Sequence, residues 1–275
     1  MIENPVVAGA VLVFIIIFLV LACAFVYMTT PNKFRFFDLP VAYCHRGFWD
    51  EKLPENSLPA FEKSAENGIG VELDVQPTKD GKIIVFHDLK LKRLCGIDKS
   101  PSELSFEEIS ELRINGSEEK IPLFADVLEV LGDVPVSCEI KTAGAAFDAD
   151  FLEGTYQLLK EYKGDFNVIS FNPFVLEWFK NNHPEVIRGQ LSAGNGHIGV
   201  NGFLGWVLSN LLLNFKSRPD FISYRWDDKS LGFFLCRLYG TRLCAWTVHS
   251  MDEVEKAAYK GFSTFVGEDF DITEV

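Results

Sequence analysis

Four short motifs gather the residues that can do chemistry: Cys44-His45-Arg46-Gly47, Glu72-Leu73-Asp74, Phe86-His87-Asp88 and Glu139-Ile140-Lys141. Each closes a short apolar run of the kind that forms a strand. Glu72 and Asp74 are two residues apart, so they point to the same side of a strand. Glu139 sits in the same way on the next barrel strand. A buried unpaired charge is very costly, and three carboxylates converging on one mouth repel one another unless a cation joins them. Oxygen ligands alone suit Mg²⁺ or Ca²⁺ rather than zinc, so Glu72, Asp74 and Glu139 are read as ligands of a divalent metal ion. His45 and His87 fall beside them. Such a pair suits proton transfer at neutral pH, one ring taking a proton from the nucleophile and the other giving one to the leaving oxygen. His45 is assigned the first task and His87 the second, with exchange of the two left open. Arg46 and Lys141 add fixed positive charge for a phosphate. Together these parts describe phosphodiester cleavage. Singly they mean little: a lone His-Asp pair is usually structural, and Glu72 with Asp74 reads equally as a strand-end salt bridge.

The elements that must position these residues alternate between β-branched runs and longer helical patterns, which predicts a mostly parallel sheet with helices outside. Eight strands are expected, at 41–45, 70–76, 136–140, 167–171, 188–191, 220–224, 243–248 and 263–266. Helices are expected at 57–67, 124–131, 148–162, 173–182, 231–239 and 251–260. Asp80-Gly81 marks a hairpin that turns the run 83–86 back along its own strand and sets His87 opposite Leu73. The stretch of about 88–121 is then an insertion on the same rim, with Ser105-Phe106-Glu107-Glu108 as a capped helix start.

The chain of 275 residues is the size of a (β/α)8 barrel plus a leader. Its 48% apolar content supports a large core. A net charge of −13 argues against nucleic-acid binding, because nothing offsets phosphate repulsion. The six cysteines form no CxxC or Cys/His cluster, and Cys44, Cys138 and Cys244 sit in apolar runs where Cys acts as a small buried hydrophobe. That usage favours a reducing compartment.

Residues 6–28 carry no charge. As a helix they rise about 34 Å, enough to cross a hydrocarbon core of about 30 Å. The preceding residues 1–5 lack the basic start of a secretory signal. The reading is therefore a tail (1–5), one transmembrane helix (6–28), a linker (29–40) and a barrel domain (41–275). Lys33 and Arg35 follow the span and place the barrel on the cytoplasmic side of the cell membrane. A competing reading takes Val20-Leu21-Ala22-Cys23 as a lipoprotein acylation site, but Leu21 and the missing basic start fit it poorly.

The ordered set His-Arg-Gly (45–47), Pro-Glu-Asn-Ser (54–57), Glu-Leu-Asp-Val (72–75), Thr-Lys-Asp-Gly (78–81), His-Asp (87–88), Ile-Pro (121–122), Glu-Ile-Lys (139–141) and Ala-Trp-Thr-Val (245–248) resembles the glycerophosphodiester phosphodiesterase family, in a membrane-anchored, bacterial-type form. The resemblance covers roughly 41–267. It implies a TIM (β/α)8 barrel that hydrolyses glycerophosphodiesters to glycerol 3-phosphate and an alcohol with a divalent metal. By resemblance, Glu72, Asp74 and Glu139 hold Mg²⁺ or Ca²⁺ and His45 and His87 form the acid–base pair. Arg46 and Lys141 hold phosphate, Trp246 lines the glycerol pocket, and Glu55 belongs to the rim. The stretch Gly261–Asp269 departs from the family's usual ending, and His249 stands where the family often has Asn; a rim hydrogen bond is its expected role. A lysophospholipase D would use the same residues, and a headgroup-binding barrel without activity is the rival from outside enzymology. The second would be expected to have lost part of the set, and none is missing.

One further apolar stretch, 198–215, reads as a barrel helix packed on the sheet. The alternative is a segment that dips into the bilayer beside the anchor, with Trp206 at headgroup level, which would make the substrate a lipid or lysolipid. For the topology, a reporter that works only in the cytoplasm is expected to be active when fused at the C-terminus, and protease added to intact cells should leave the barrel whole. Cutting from outside would reverse the orientation or put a lipid on Cys23.

Overall fold

The computed structural model describes residues 5–32, 35 and 37–275; Lys33, counted above for orientation, lies outside them. Along the chain run α1 (Pro5–Thr29), β1 (Ala42–His45), α2 (Leu58–Glu66), β2 (Gly70–Pro77), β3 (Ile83–Val85), α3 (Lys92–Cys95), α4 (Phe106–Ser110), α5 (Phe124–Leu131), β4 (Val136–Ile140) and α6 (Ala149–Glu161). They are followed by β5 (Phe166–Ser170), α7 (Pro173–Asn182), β6 (Ile187–Ser192), α8 (Gly202–Ser209), α9 (Asn214–Ser217), β7 (Phe221–Arg225), α10 (Leu231–Leu238), β8 (Arg242–Val248), α11 (Met251–Tyr259) and β9 (Thr264–Gly267). The strands lie in the order β1-β9-β8-β7-β6-β5-β4-β2-β3, and β1 also pairs with β2. Eight parallel strands therefore close a TIM-like barrel, as the alternation predicts, and β3 is the appended hairpin strand, antiparallel to β2. The pairing Val75↔Val85 continues to the register expected for His87, and Phe86 N donates to Asp74 O at 2.8 Å.

Local chemistry sets the helix ends. Asp148 caps α6 by accepting from Asp150 N, and Asn172 caps α7 by accepting from Phe174 N, with Pro173 in the first turn. Ser105 and Glu108 form the expected capping box on α4. Along the strands the period of two divides core from site. Val71, Leu73 and Val75 face outward and join Val136, Cys138 and Ile140 in one cluster with Phe124 and Val127 of α5. The alternate residues face the barrel axis. Near its N-terminal end the interior is closed by Tyr43, Phe221, Cys244 and Val266, with Phe37 and Leu39 packed against them. Asn167 bridges Tyr43 and Ser137 there. Cys44, Cys138 and Cys244 are buried and free, as small hydrophobes would be. The insertion carries its own small core of Leu91, Leu104, Ile109, Ile114 and Ile121 around Ile84 and Phe86.

Two sequence expectations change. The stretch 198–215 is not one helix: α8 and α9 are separated by a turn in which Leu211 takes φ 56°. The stretch 29–40, expected as a linker, is packed on the barrel where it is described. Thr29 O accepts from Asn214 Nδ2 at 2.9 Å and from Cys236 Sγ, Arg218 donates to Thr30 O at 2.7 Å, and Asn32 N donates to Pro219 O. Arg35 donates to Pro184 O and Val186 O, so it ties the chain to the barrel's N-terminal face. The Gly9–Thr29 part of α1 has mean hydropathy 3.2 and is long and apolar enough to cross a membrane.

The helix α10 that receives Thr29 sits flush on the turn between α8 and α9. A Cβ at Gly232 would fall 1.7 Å from Asn210 O, a backbone atom that cannot swing aside. Gly232→Ala is therefore expected to destabilise the barrel by about 1–3 kcal/mol or more, read as a lowered Tm; an unchanged Tm would contradict this close approach.

Candidate active site

The inward residues at the C-terminal ends of β1, β2, β4 and β9 meet at one mouth. Strand pairing sets His45 beside Glu72 and Asp74 beside Glu139. Ligand oxygens of Glu72, Asp74 and Glu139 lie within 4.8 Å of one another, and all three side chains are buried. Lys141, two residues beyond Glu139 and so on the same face, bridges Asp74 Oδ1 at 3.0 Å and Glu139 Oε1 at 2.8 Å. Asn56 Nδ2 donates to Asp74 Oδ2 at 2.9 Å. Glu72 Oε2 is buried and has no hydrogen-bond partner.

The electrostatics follow from that arrangement. Burial, reinforced by the neighbouring charges of Asp74 and Glu139, pushes the Glu72 carboxyl well above its ordinary range. Burial also raises Glu139, only partly offset by Lys141. At Asp74 the burial penalty is outweighed by Lys141, His87 and Arg46, which hold it well below the usual carboxylate range. Lys141 loses charge stabilisation through burial but regains more from Asp74 and Glu139, so it stays protonated. Asp74 and Lys141 thus form a settled ion pair, whereas Glu72 is a carboxyl short of a positive partner.

Each histidine is held by a carboxylate. His45 Nδ1 is bonded to Glu268 at the end of β9, and its Nε2 lies 3.9 Å from Glu72 Oε2. His87 Nδ1 is 2.7 Å from Asp88 Oδ1. Arg93 of α3 grips Asp88 through Nε and Nη2 and reaches both oxygens of Glu55 at 2.8 Å. Arg46, turned inward at φ 60° just after β1, donates from Nη1 to Glu55 Oε1 at 2.7 Å. Burial lowers His87 to about 4, so its ring is neutral at neutral pH. Asp88 is held at about 2, the burial penalty being outweighed by Arg93 and His87.

The structure therefore brings together His45, Arg46, Glu55, Glu72, Asp74, His87, Glu139 and Lys141. Glu55 is engaged by Arg46 and Arg93 together, which makes it the anchor of two arginines. Trp246 lies inward on β8 with its ring edge-on to Phe171 at 5.6 Å, and its Nε1 is buried without a hydrogen-bond partner. His249 makes the expected rim contact, Nδ1 to Asp269 Oδ2 at 3.0 Å, with Glu268 Oε1 at 3.7 Å. Sequence reasoning missed the parts played by Glu268, Arg93 and Asn56. Glu268 had a usable signal, since it shares the inward register of Thr264 and Val266. Asn56 stood out only as part of the Pro-Glu-Asn-Ser motif, and Arg93 gave no signal at all, because its contacts span the insertion.

Residues 45–194 match the family model described as the glycerophosphoryl diester phosphodiesterase family. The chain is 30% identical over 237 residues to a glycerophosphodiester phosphodiesterase of Caldanaerobacter subterraneus, across 82% of this chain and 92% of that one. It is 30% identical over 145 residues to a lysophospholipase D of Rattus norvegicus, across 48% of this chain and 44% of that protein. Among solved structures, a phosphodiesterase of Oleispira antarctica in complex with the product sn-glycerol-3-phosphate aligns with TM-score 0.69 at 21% identity, over 84% of this chain and 94% of that one. A glycerophosphodiester phosphodiesterase of Thermotoga maritima aligns with TM-score 0.63 at 24% identity, over 85% and 96%. At these identities the structural likeness is one of fold.

Removing the cation that bridges the buried Asp74 and Glu139 leaves them poorly compensated. Lys141→Met is expected to cost about 3–5 kcal/mol of stability, seen as a lowered Tm that millimolar Mg²⁺ or Ca²⁺ partly restores. A variant as stable as the parent without added cation would show that Lys141 does not carry this charge.

Proposed function

The chain belongs to the glycerophosphodiester phosphodiesterase family, and from that membership we propose that its barrel mouth hydrolyses glycerophosphodiesters to glycerol 3-phosphate and an alcohol with two histidines and a divalent ion. As a member it is a phosphoric diester hydrolase. The observation that carries the finer reading is Glu72. It is buried beside two like charges, raised in pKa and left with one unpartnered oxygen, a hard donor that a divalent cation would take up. Glu72, Asp74 and Glu139 would hold Mg²⁺ or Ca²⁺, and the ion when bound supplies charge neutralisation for the phosphoryl oxygens.

The chain's own groups do the rest. Arg46 Nε is buried, without a hydrogen-bond partner, and is the donor free to meet a phosphoryl oxygen; Lys141 stands beside it. Trp246 Nε1 is free for a glycerol hydroxyl. The two histidines exchange the roles first assigned from sequence. His87 is neutral and so takes the proton from the nucleophile, with Asp88 and Arg93 fixing its ring. His45, paired with Glu268, gives a proton to the leaving alcohol. In the net reaction the water oxygen bonds to phosphorus, the P–O bond to the alcohol breaks, and the alcohol leaves with a proton.

We read residues 6–28 as a permanent membrane anchor ahead of the barrel of 41–275. The support is that α1 ends in hydrogen bonds from Asn214 and Arg218, so its last turns are part of the fold, which a cleaved signal would not be. The positive-inside pattern supports a cytoplasmic barrel.

Two results are expected in an assay of glycerol 3-phosphate release. Chelation with EDTA abolishes turnover and Mg²⁺ or Ca²⁺ restores it; full activity after exhaustive chelation would remove the ion from the mechanism. His45→Ala and His87→Ala each lower kcat by about 10² or more with Tm little changed, and a variant with near-parental kcat would remove that histidine.

A further inference from the structure

Resting on the phosphodiesterase reading of the mouth, we infer that the substrate is a lysophospholipid, whose single acyl chain lies in an apolar cleft between the C-terminal ends of β5 and β6 and helix α8. The cleft has a volume of about 340 Å³, at the lower end of the range of roughly 300–1,000 Å³ for ligand sites. It adjoins the mouth directly. Leu89, Thr142, Phe171, Asn172 and Ile198 line both this cleft and the pocket that holds His87, Glu139 and Lys141. Beyond them the walls are mostly apolar, with Phe174, Leu191, Leu204, Leu208 and Leu213 beside the uncharged polar groups of Gln190, Ser192 and Asn214, and among the described residues no ionisable side chain lines the cleft. A phosphate finds no positive charge there, whereas a hydrocarbon chain is transferred from water to mostly apolar walls. The polar diester would sit at the mouth among Arg46, Lys141 and His87, with the acyl chain leading from its glycerol past Phe171, the ring that also touches Trp246.

The far side of the cleft faces the anchor. Leu204 lines the cleft and is 54% exposed, and Phe203 and Trp206 beside it are exposed as well. Trp206 meets Phe25 of α1 with ring centroids 6.4 Å apart. Exposed Leu231, Phe234 and Leu238 of α10 extend the apolar surface, and α10 also touches the end of α1 through Cys236. From Phe25 to Asn32 the chain descends from α8 to the entry of β7 on the barrel's N-terminal face. The uncovered earlier turns of α1 therefore lead away on the side of the mouth, which is where a bilayer crossed by α1 would lie. A lysolipid leaving that bilayer meets α8 first and the catalytic mouth next. The occupant is thus a lipid chain rather than a protein partner: the same apolar surface continues from α1 into the cleft, and the cleft ends at groups that cut phosphodiesters.

The test uses the full chain in dioleoylphosphatidylglycerol vesicles, with choline release read from glycerophosphocholine and from 1-acyl-lysophosphatidylcholines carrying hexanoyl, decanoyl or myristoyl chains. The expected result is a kcat/KM that rises with chain length and exceeds that for glycerophosphocholine by roughly tenfold or more, the scale on which an apolar pocket discriminates. Leu208→Trp, which fills the cleft, should lower the ratio of lysolipid to glycerophosphocholine turnover by a similar factor. Glycerophosphocholine cleaved with lysolipids cut no better at any chain length would overturn the acyl subsite and leave the mouth's assignment standing. So would a Leu208→Trp variant that folds, judged by its Tm, and keeps the parental ratio. Cleavage of neither substrate would overturn the phosphodiesterase reading and the subsite with it.

Discussion

Three carboxylates share one buried mouth, and the rest of the site answers to their repulsion. Glu72, Asp74 and Glu139 are brought within reach of one another by the inward face of β2 and the register of β4. Burying such charge costs several kcal/mol per ion unless partners compensate it. Lys141 compensates Asp74 and Glu139, and Asn56 and Arg46 add to Asp74. For Glu72 the charges of Lys141 and Arg46 offset burial and the like-charged neighbours only in part, so its charged form is disfavoured as the chain stands. The hairpin strand β3 delivers His87 to this group, and the insertion that follows β3 delivers Arg93. A chain of alternating charge then runs from Arg46 through Glu55 and Arg93 to Asp88 and His87. Its members fix one another, so the insertion serves to position the ring of His87 as well as to cover the barrel's flank.

The fold and the inner face of the site were legible because both rest on short-range periodicity. Two-residue spacing put Glu72 with Asp74 on one inward face, and the Asp80-Gly81 turn fixed the register that places His87. What the sequence did not disclose is long-range. Glu268 reaches His45 from the last strand, and Arg93 joins Glu55 to Asp88 across the insertion; neither spacing nor composition encodes a contact of that kind. The apolar stretch 198–215 misled for a different reason. A run of Leu, Phe and Trp signals burial equally well for one long helix or for two short ones, and the break rests on the left-handed turn at Leu211. In the linker, Phe37 and Leu39, few and scattered, gave no period, yet they pack against the residues that close the barrel's interior.

The anchor and the barrel are one piece of architecture where they meet. Thr29 and Thr30 are received by Asn214, Cys236 and Arg218, and the Arg218 guanidinium lies 4.8 Å from the Tyr27 ring centroid. Such a junction fixes how the barrel is carried relative to α1, and with it which face meets the surrounding phase. An apolar α8 beside α1 and an uncharged cleft behind α8 are the features that the inferred lipid substrate would use.

The coupling of charge at Glu72 to a bound cation is open to direct measurement. Burial beside two like charges favours the protonated form of Glu72, and a ligand to a cation must be the carboxylate, so binding a cation should release protons. Calorimetric titration of Mg²⁺ or Ca²⁺ into cation-free protein near neutral pH, in buffers of differing ionisation enthalpy, reads that release. Proton release on cation binding is predicted, and its reduction in Glu72→Gln. Binding without proton release, or no binding at all, would contradict a site built around three buried carboxylates and a shared cation.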